Sequence, residues 1–310
     1  MRKLLTCSPL FLAMITFSST AFEKIDQSLS AADISHVIIE NQRGQVAIKG
    51  SEQNQVSVTG ELDDRAKKFV FEKDGSTIRI KVVVRDGHDN EWGSNKQGSD
   101  LLITLPSTLK VSFNGVSANI DVENLKKSVD IKTVSGDIVA RNLHEHIELN
   151  SISGDIESRQ LSGKVYISTV SGEINDRNST GRLSIQAVSG DIDSYSEANE
   201  VTVETVSGEV ELKLATVEDL EVSTVSGEAE VSLTLAESGH VKMSSVSGDL
   251  DAHFNGDVSA NFKLKTNAGG DIRNNITNDK PERGKYVRNA KLSFDTGGGK
   301  GSVRATTVSG

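Results

Sequence analysis

Apolar and polar residues alternate at period two in short stretches along much of this chain, as in Ile147-Glu148-Leu149, Val165-Tyr166-Ile167, Leu183-Ser184-Ile185 and Val201-Thr202-Val203. That period marks β-strands with one buried face. No i, i+3, i+4 period persists across these stretches, and the segments between them carry Gly, Asn, Ser and Asp, which suit turns. A second element accompanies each alternating pair: Thr133-Val134-Ser135-Gly136-Asp137-Ile138, Ser151-Ile152-Ser153-Gly154-Asp155-Ile156, Thr169-Val170-Ser171-Gly172-Glu173-Ile174, Ala187-Val188-Ser189-Gly190-Asp191-Ile192 and Thr205-Val206-Ser207-Gly208-Glu209-Val210.

The glycines of these five copies stand 18 residues apart. Looser copies follow at Gly227, Gly248 and Gly270, with spacings of 19, 21 and 22, and a degenerate one precedes them at Val116-Ser117-Ala118-Asn119-Ile120. A unit this short cannot bury its own apolar face, so successive units must stack and pair strand on strand about 4.8 Å apart. The expected fold class is all-β, a single-chain β-solenoid (β-helix-like) with coils of about 18 residues. Equal spacing puts like residues on like. The Val and Ile positions of the signature are expected to fill the interior, Ser to line one corner, and Gly to permit close approach between coils.

The open ends of such a stack need covering. Residues 22–115 read as an irregular N-terminal β-region or cap, 116–272 as the regular repeats, and 273–310 as C-terminal coils and cap, ending on another signature at Thr306-Thr307-Val308-Ser309-Gly310.

At Val46-Ala47-Ile48-Lys49-Gly50, the Leu105-Pro106 step and the serial V-S-G-D-I units, the chain resembles the DUF4097 family, β-strand repeat proteins of bacteria described as candidate adhesins. The likeness covers nearly all of the chain after its leader. It implies an extracytoplasmic β-solenoid, linked in the family to adhesion or to envelope-stress responses.

Residues 1–21 read as a secretory leader: a positive start at Met1-Arg2-Lys3, an apolar run from Leu4 to Phe17, and small residues at Ser19 and Ala21 that place cleavage after Ala21. The apolar run is shorter than the roughly 20 residues that cross a bilayer, and no transmembrane segment is expected. The protein is expected to be exported, to the periplasm, the cell surface or the medium. Cys7 is the sole cysteine and leaves with the leader, which excludes disulfides and thiolate chemistry from the remainder. Loss of Arg2 and Lys3 takes the net charge from −10 to −12, and such a surface repels nucleic acid. Aromatic residues make up only 4% of the chain, which suits a thin interior of Val, Ile, Leu, Ser and Thr.

The acidic ladder Asp137, Asp155, Glu173, Asp191 and Glu209 is the most tempting chemistry. Its expected role is solubility and hydrogen bonding at the turn. Calcium is the weaker alternative, because calcium-binding nonapeptide repeats need a Gly-Gly-x-Gly-x-Asp unit every nine residues and this chain has one Gly-acid pair per 18. His144 and His146 share a strand face, but no third ligand has metal spacing. No catalytic residue and no cofactor is expected, since enzymes of this architecture need carboxylates that interrupt the repeat, and here the carboxylates are the repeat. Two irregular features are candidate partner-binding sites: Trp92 in the polar loop 86–95, and the basic run with Lys280, Arg283, Lys285 and Arg288. The expected function is a non-enzymatic, adhesin-like or structural scaffold that binds a protein or glycan of the cell envelope. A periplasmic component of an envelope-stress system is the alternative.

Overall fold

The computed structural model describes residues 23–85, 98–284, 286 and 288–310, so the leader with Ala21 lies outside the described residues. Strands β1 (Lys24–Ser30), β2 (His36–Ser51), β3 (Gln55–Glu61), β4 (Ala66–Asp74), β5 (Thr77–Val84) and β6 (Ser99–Pro106) precede the repeats. The repeats run through β7 (Lys110–Leu125), β8 (Val129–Lys132), β9 (Ile138–Ser151), β10 (Ile156–Arg159), β11 (Ser162–Ser171), β12 (Ile174–Arg177), β13 (Thr180–Ser189), β14 (Ile192–Ser196), β15 (Glu200–Ser207), β16 (Val210–Ser226), β17 (Ala229–Ser247) and β18 (Leu250–Phe254). Then come β19 (Ala260–Thr266), β20 (Glu282–Arg283), β21 (Ala290–Asp295) and β22 (Gly301–Ser309).

Like stacks on like, as equal spacing requires. Ile138, Ile156, Ile174, Ile192 and Val210 are successive partners in parallel pairing and form one face. Ile147, Val165, Leu183 and Val201 do the same on the other face. Partners in both columns lie 18 residues apart, two strands and two corners per coil. The long strands β9, β16 and β17 bend through a corner and serve both faces. Side chains from the two faces meet in one apolar cluster, with the Ile column at most 1% exposed. Each such side chain contributes roughly 1.5–3 kcal/mol by leaving water. The result is an all-β, β-solenoid-like stack.

One expectation for the interior is wrong. The Ile of each signature points in, but the Val points out: Val134, Ile152, Val170, Val188 and Val206 are all 42–48% exposed. The cause is strict alternation along the strand. With Val165, Ile167 and Thr169 buried, Val170 must face solvent. The small interior position at the corner is taken by Thr, Ser or, once, Ala187 instead, and Thr169 Oγ1 donates to the carbonyl of Gly154 at 3.4 Å.

The two corners are built differently. At the signature corner a Cβ on Gly190 would overlap the carbonyl oxygen of Gly172 one coil away, so the backbones approach closely only because no side chain stands there. At the opposite corner Asn124, Asn142, Gln160 and Asn178 occupy the left-handed region with φ of 52–62°, which Asn tolerates better than most residues. Asn142 donates to Asn124 Oδ1 at 2.7 Å, so this corner carries its own hydrogen-bonded side chains.

Both ends switch from parallel to antiparallel pairing. At the N-terminal end β2 pairs in parallel with β7 along both faces, and β6, β3 and β1 continue one face while β5 and β4 continue the other. At the C-terminal end the order in space departs from the order in sequence. Strand β22 inserts between β17 and β19 and is parallel to both, so Val241 pairs with Val303 and Val303 with Phe262. Gly248 and Gly270 therefore do not belong to adjacent coils, as their spacing of 22 suggested; Gly310 stacks between them. Strands β21 and β20 close this end antiparallel. Three aromatic rings pack together here, with Phe262 stacked on Phe294 at 4.5 Å and Phe254 edge-on to Phe262 at 5.7 Å.

Gly190→Ala should cost about 2–3 kcal/mol, because backbone on both sides prevents relief of the overlap. Gly75→Ala, in a turn with nothing within 4 Å but φ of +60°, should cost only about 1 kcal/mol. Urea unfolding of the two variants gives the comparison, and equal losses would contradict the close-approach account.

Candidate functional site

The signature corner gathers the residues that recur in every coil. In each copy the first residue, Thr, Ser or, at position 187, Ala, is buried, the Val or Ile is half exposed, the next Ser is exposed, and the acid lies beyond the glycine, also exposed. Main-chain bonds tie one corner to the next: the amides of Ser135, Ser153 and Ser171 donate to the carbonyls of Val116, Val134 and Ile152 at 2.7–2.8 Å. Along the molecule this places Val116, Val134, Ile152, Val170, Val188, Val206, Val225, Val246 and Val308 in one file, each 42–50% exposed.

The carboxylates of the ladder act on the neighbouring coil. Asp137 Oδ1 accepts from the amide of Asp155 at 3.1 Å, Asp155 Oδ1 from the amide of Glu173 at 2.8 Å, and Asp191 Oδ1 from the amide of Glu209 at 2.9 Å. Asn119 plays the same part for Asp137 at 3.1 Å. The short Asp arm suits this reach. Glu173, one methylene longer, accepts from Asn175 Nδ2 at 2.7 Å instead. A carboxylate accepting a backbone amide is a charge-assisted bond, stronger than a neutral one. Hydrogen bonding at the turn is thus what these acids do. Among the described residues no group of three or more His, Cys, Asp or Glu is arranged to hold a metal ion.

His144 accepts or donates at both ring nitrogens, to Ser162 Oγ at 2.5 Å and Asn142 Oδ1 at 3.2 Å, so it belongs to the opposite corner. His146 is exposed two residues on, past Glu145 in the left-handed region. Trp92 and Lys285 lie outside the described residues. Of the other basic candidates, Lys280 and Arg288 are exposed, and Arg283 pairs with Asp271 at 2.5 Å while its backbone pairs with Ala290. The structure therefore places Arg283 in the C-terminal closure, and the Arg288 side chain lies beside Gly269 at the same end of the stack.

One charged residue escaped the reading of the repeat. Asp176 is fully buried between the two faces and accepts from Ser158 Oγ at 2.6 Å, Ser179 Oγ at 2.5 Å and Ser194 Oγ at 3.1 Å. Alternation from Ile174 does place it inside, in the column of Ser158 and Ser194. Burial pushes its pKa above the ordinary carboxylate value, and the three hydroxyls and the nearby Arg177 charge oppose that rise without cancelling it. A second buried acid, Asp63, is held differently. Burial pushes its pKa up, but the Arg43 guanidinium, at 2.5 and 2.7 Å, and the Arg65 amide outweigh burial and hold it below the usual range.

A β-solenoid-like stack of short repeats with one decorated corner defines the class of protein. The chain belongs to the DUF4097 family, whose model, described as Toastrack DUF4097, matches residues 34–310. Similar solved structures include a candidate adhesin of Bacteroides fragilis (15% identity, TM-score 0.45, covering 74% of this chain and 97% of that one) and a candidate adhesin of Parabacteroides distasonis (14%, 0.48, 74% and 97%). A candidate cell adhesion protein of Clostridium sporogenes is similar at 13% identity and a TM-score of 0.24, covering 93% and 96%. No curated protein matches the sequence. Among the described residues no helix is long and apolar enough to cross a membrane.

Replacing Asp176 with Asn tests its burden. The folded chain holds this proton more tightly than the unfolded chain, so the contribution of Asp176 to stability is greatest at acid pH and falls as pH rises through the raised folded-state pKa. Asp176→Asn removes that fall. The variant's melting temperature should therefore exceed the wild type's by a margin that widens from acid to neutral pH, and a constant or narrowing margin would contradict the assignment.

Proposed function

We propose that this protein is an exported, non-enzymatic scaffold of the cell envelope that acts by surface contact, in the manner expected of an adhesin. The observation that carries this reading is the periodicity of the outer surface. Coils with 18-residue register present equivalent side chains at equal steps along both faces, a form suited to many weak simultaneous contacts. Three carboxylates of the ladder, Asp137, Asp155 and Asp191, are engaged in coil-to-coil hydrogen bonds, which supports a structural part for them and leaves catalysis out of this reading. The positively charged, then apolar, then small-residue pattern of residues 1–21 supports export, and the acidic balance of the chain favours a protein or glycan partner over nucleic acid.

Two measurements bear on this. Cell fractionation of the full-length chain should recover it outside the cytoplasm with residues 1–21 removed. The purified protein should then bind isolated envelope saturably, with Trp92→Ala or a Lys280→Glu/Arg288→Glu pair reducing binding. Recovery from the cytoplasm with the leader intact, or no saturable binding, would sink the proposal.

A further inference from the structure

The valine file is an exposed apolar feature that neither the fold nor the proposed envelope contact uses. We infer that it is a self-association surface: two copies of this chain pack side by side and parallel, file against file, about a two-fold axis along the stack. This goes beyond the proposed function and does not depend on what partner the rest of the surface binds.

Four observations carry it. The file is continuous and bounded. Nine branched side chains, each 42–50% exposed, follow one another from Val116 to Val308, and the inserted strand β22 supplies the rung after Val246. Polar residues close both ends. Gln42 lies between the Asn41–Gly115 and Arg43–Ser117 pairs and so faces Val116, and Asn267, whose amide bonds the carbonyl of Thr307, follows Val308. Exposed apolar surface this extended is uncommon on a monomer and marks a contact site.

The period selects the occupant. Rungs repeat at the strand spacing of about 4.8 Å. An α-helix laid along the file advances about 5.4 Å per turn and falls a full rung out of step over the file's length. An identical ladder stays in step throughout, as the interdigitating ladders of stacked sheets do. Valine is also stiff at χ1, so little rotamer freedom is lost on contact.

Charge sets the orientation. The acids from Asp137 to Asp249 flank one side of the file, while the column on the other side runs through Asn150, Ser168 and Gln186 and has Lys132 and Glu204 as its charged members. A two-fold axis along the file lays each acidic row against the partner's nearly neutral column. The antiparallel arrangement would lay acids on acids and is disfavoured. The same acidic flank repels an anionic membrane surface. As for size, nine half-exposed side chains with their flanking columns approach the roughly 800 Å² per partner of a standard interface.

Sedimentation equilibrium of the purified protein provides the test. The wild type should give a dimer mass that dissociates on dilution, and Val170→Lys/Val188→Lys/Val206→Lys should be a folded monomer that melts close to the wild type diluted to its monomeric state, because these side chains point away from the interior. A monomeric wild type, a variant that associates as well as the wild type, or growth beyond the dimer would overturn the proposal. So would a monomer whose envelope binding the triple variant abolishes, since the file would then serve another partner. Orientation is read from single cysteines in a Cys7→Ser background. V134C alone should form a disulfide-linked dimer, whereas linkage only between V134C and V246C would mean the antiparallel pair.

Discussion

The stacking distance at the signature corner is the constraint from which the rest follows. Successive coils must lie one strand spacing apart for their backbones to pair, and at this corner the glycine of one coil sits directly over the carbonyl of the coil before. A Cβ would hold the coils apart. Once they meet, everything fixed by sequence position is replicated along the stack: the Ile column inside, the serine amides bonded to the preceding coil, and the file of valines outside. The repeat is therefore less a set of independent units than a single contact made many times.

Polar groups are used to hold this contact. The Asp carboxylates lie on the surface, where mutual repulsion at strand spacing is only ~1 kcal/mol per pair in water, and each accepts an amide of the next coil. Asp176 meets the opposite situation, a carboxylate in the apolar interior with three serine hydroxyls as its solvation. A thin interior of Val, Ile and Leu leaves little room for aromatic rings, and the phenylalanines lie toward the two ends, Phe69, Phe71 and Phe113 at one and Phe254, Phe262 and Phe294 at the other.

Much of this was legible because equal spacing converts sequence into contact. Ile138 over Ile156 over Ile174 follows from counting alone. The outward Val was legible in principle, since alternation from Val165 reaches it, but the apolar character of the signature overrode the alternation. The left-handed corner at Asn124, Asn142, Gln160 and Asn178 also keeps the 18-residue interval and was hidden only by its polar, variable neighbours. The insertion of β22 was not legible: its partners, β17 and β19, are set by which strand fills the gap between them, and the order of residues carries no trace of that choice. For the site, the repeat pointed to the corner and to its acids' structural part, and missed both the valine file and Asp176.

The account stands or falls on whether each coil's backbone is bonded to the next at a corner whose side chains face water. The amides of Ser135, Ser153 and Ser171 decide this, because their side chains are exposed while the amides donate to the carbonyls of Val116, Val134 and Ile152. Residue-resolved hydrogen exchange is the direct measurement. Slow exchange at these three amides, comparable to that of the buried Ile147 and Ile167 strands, is the predicted result; rapid exchange there, at the rate of an open loop, would contradict it.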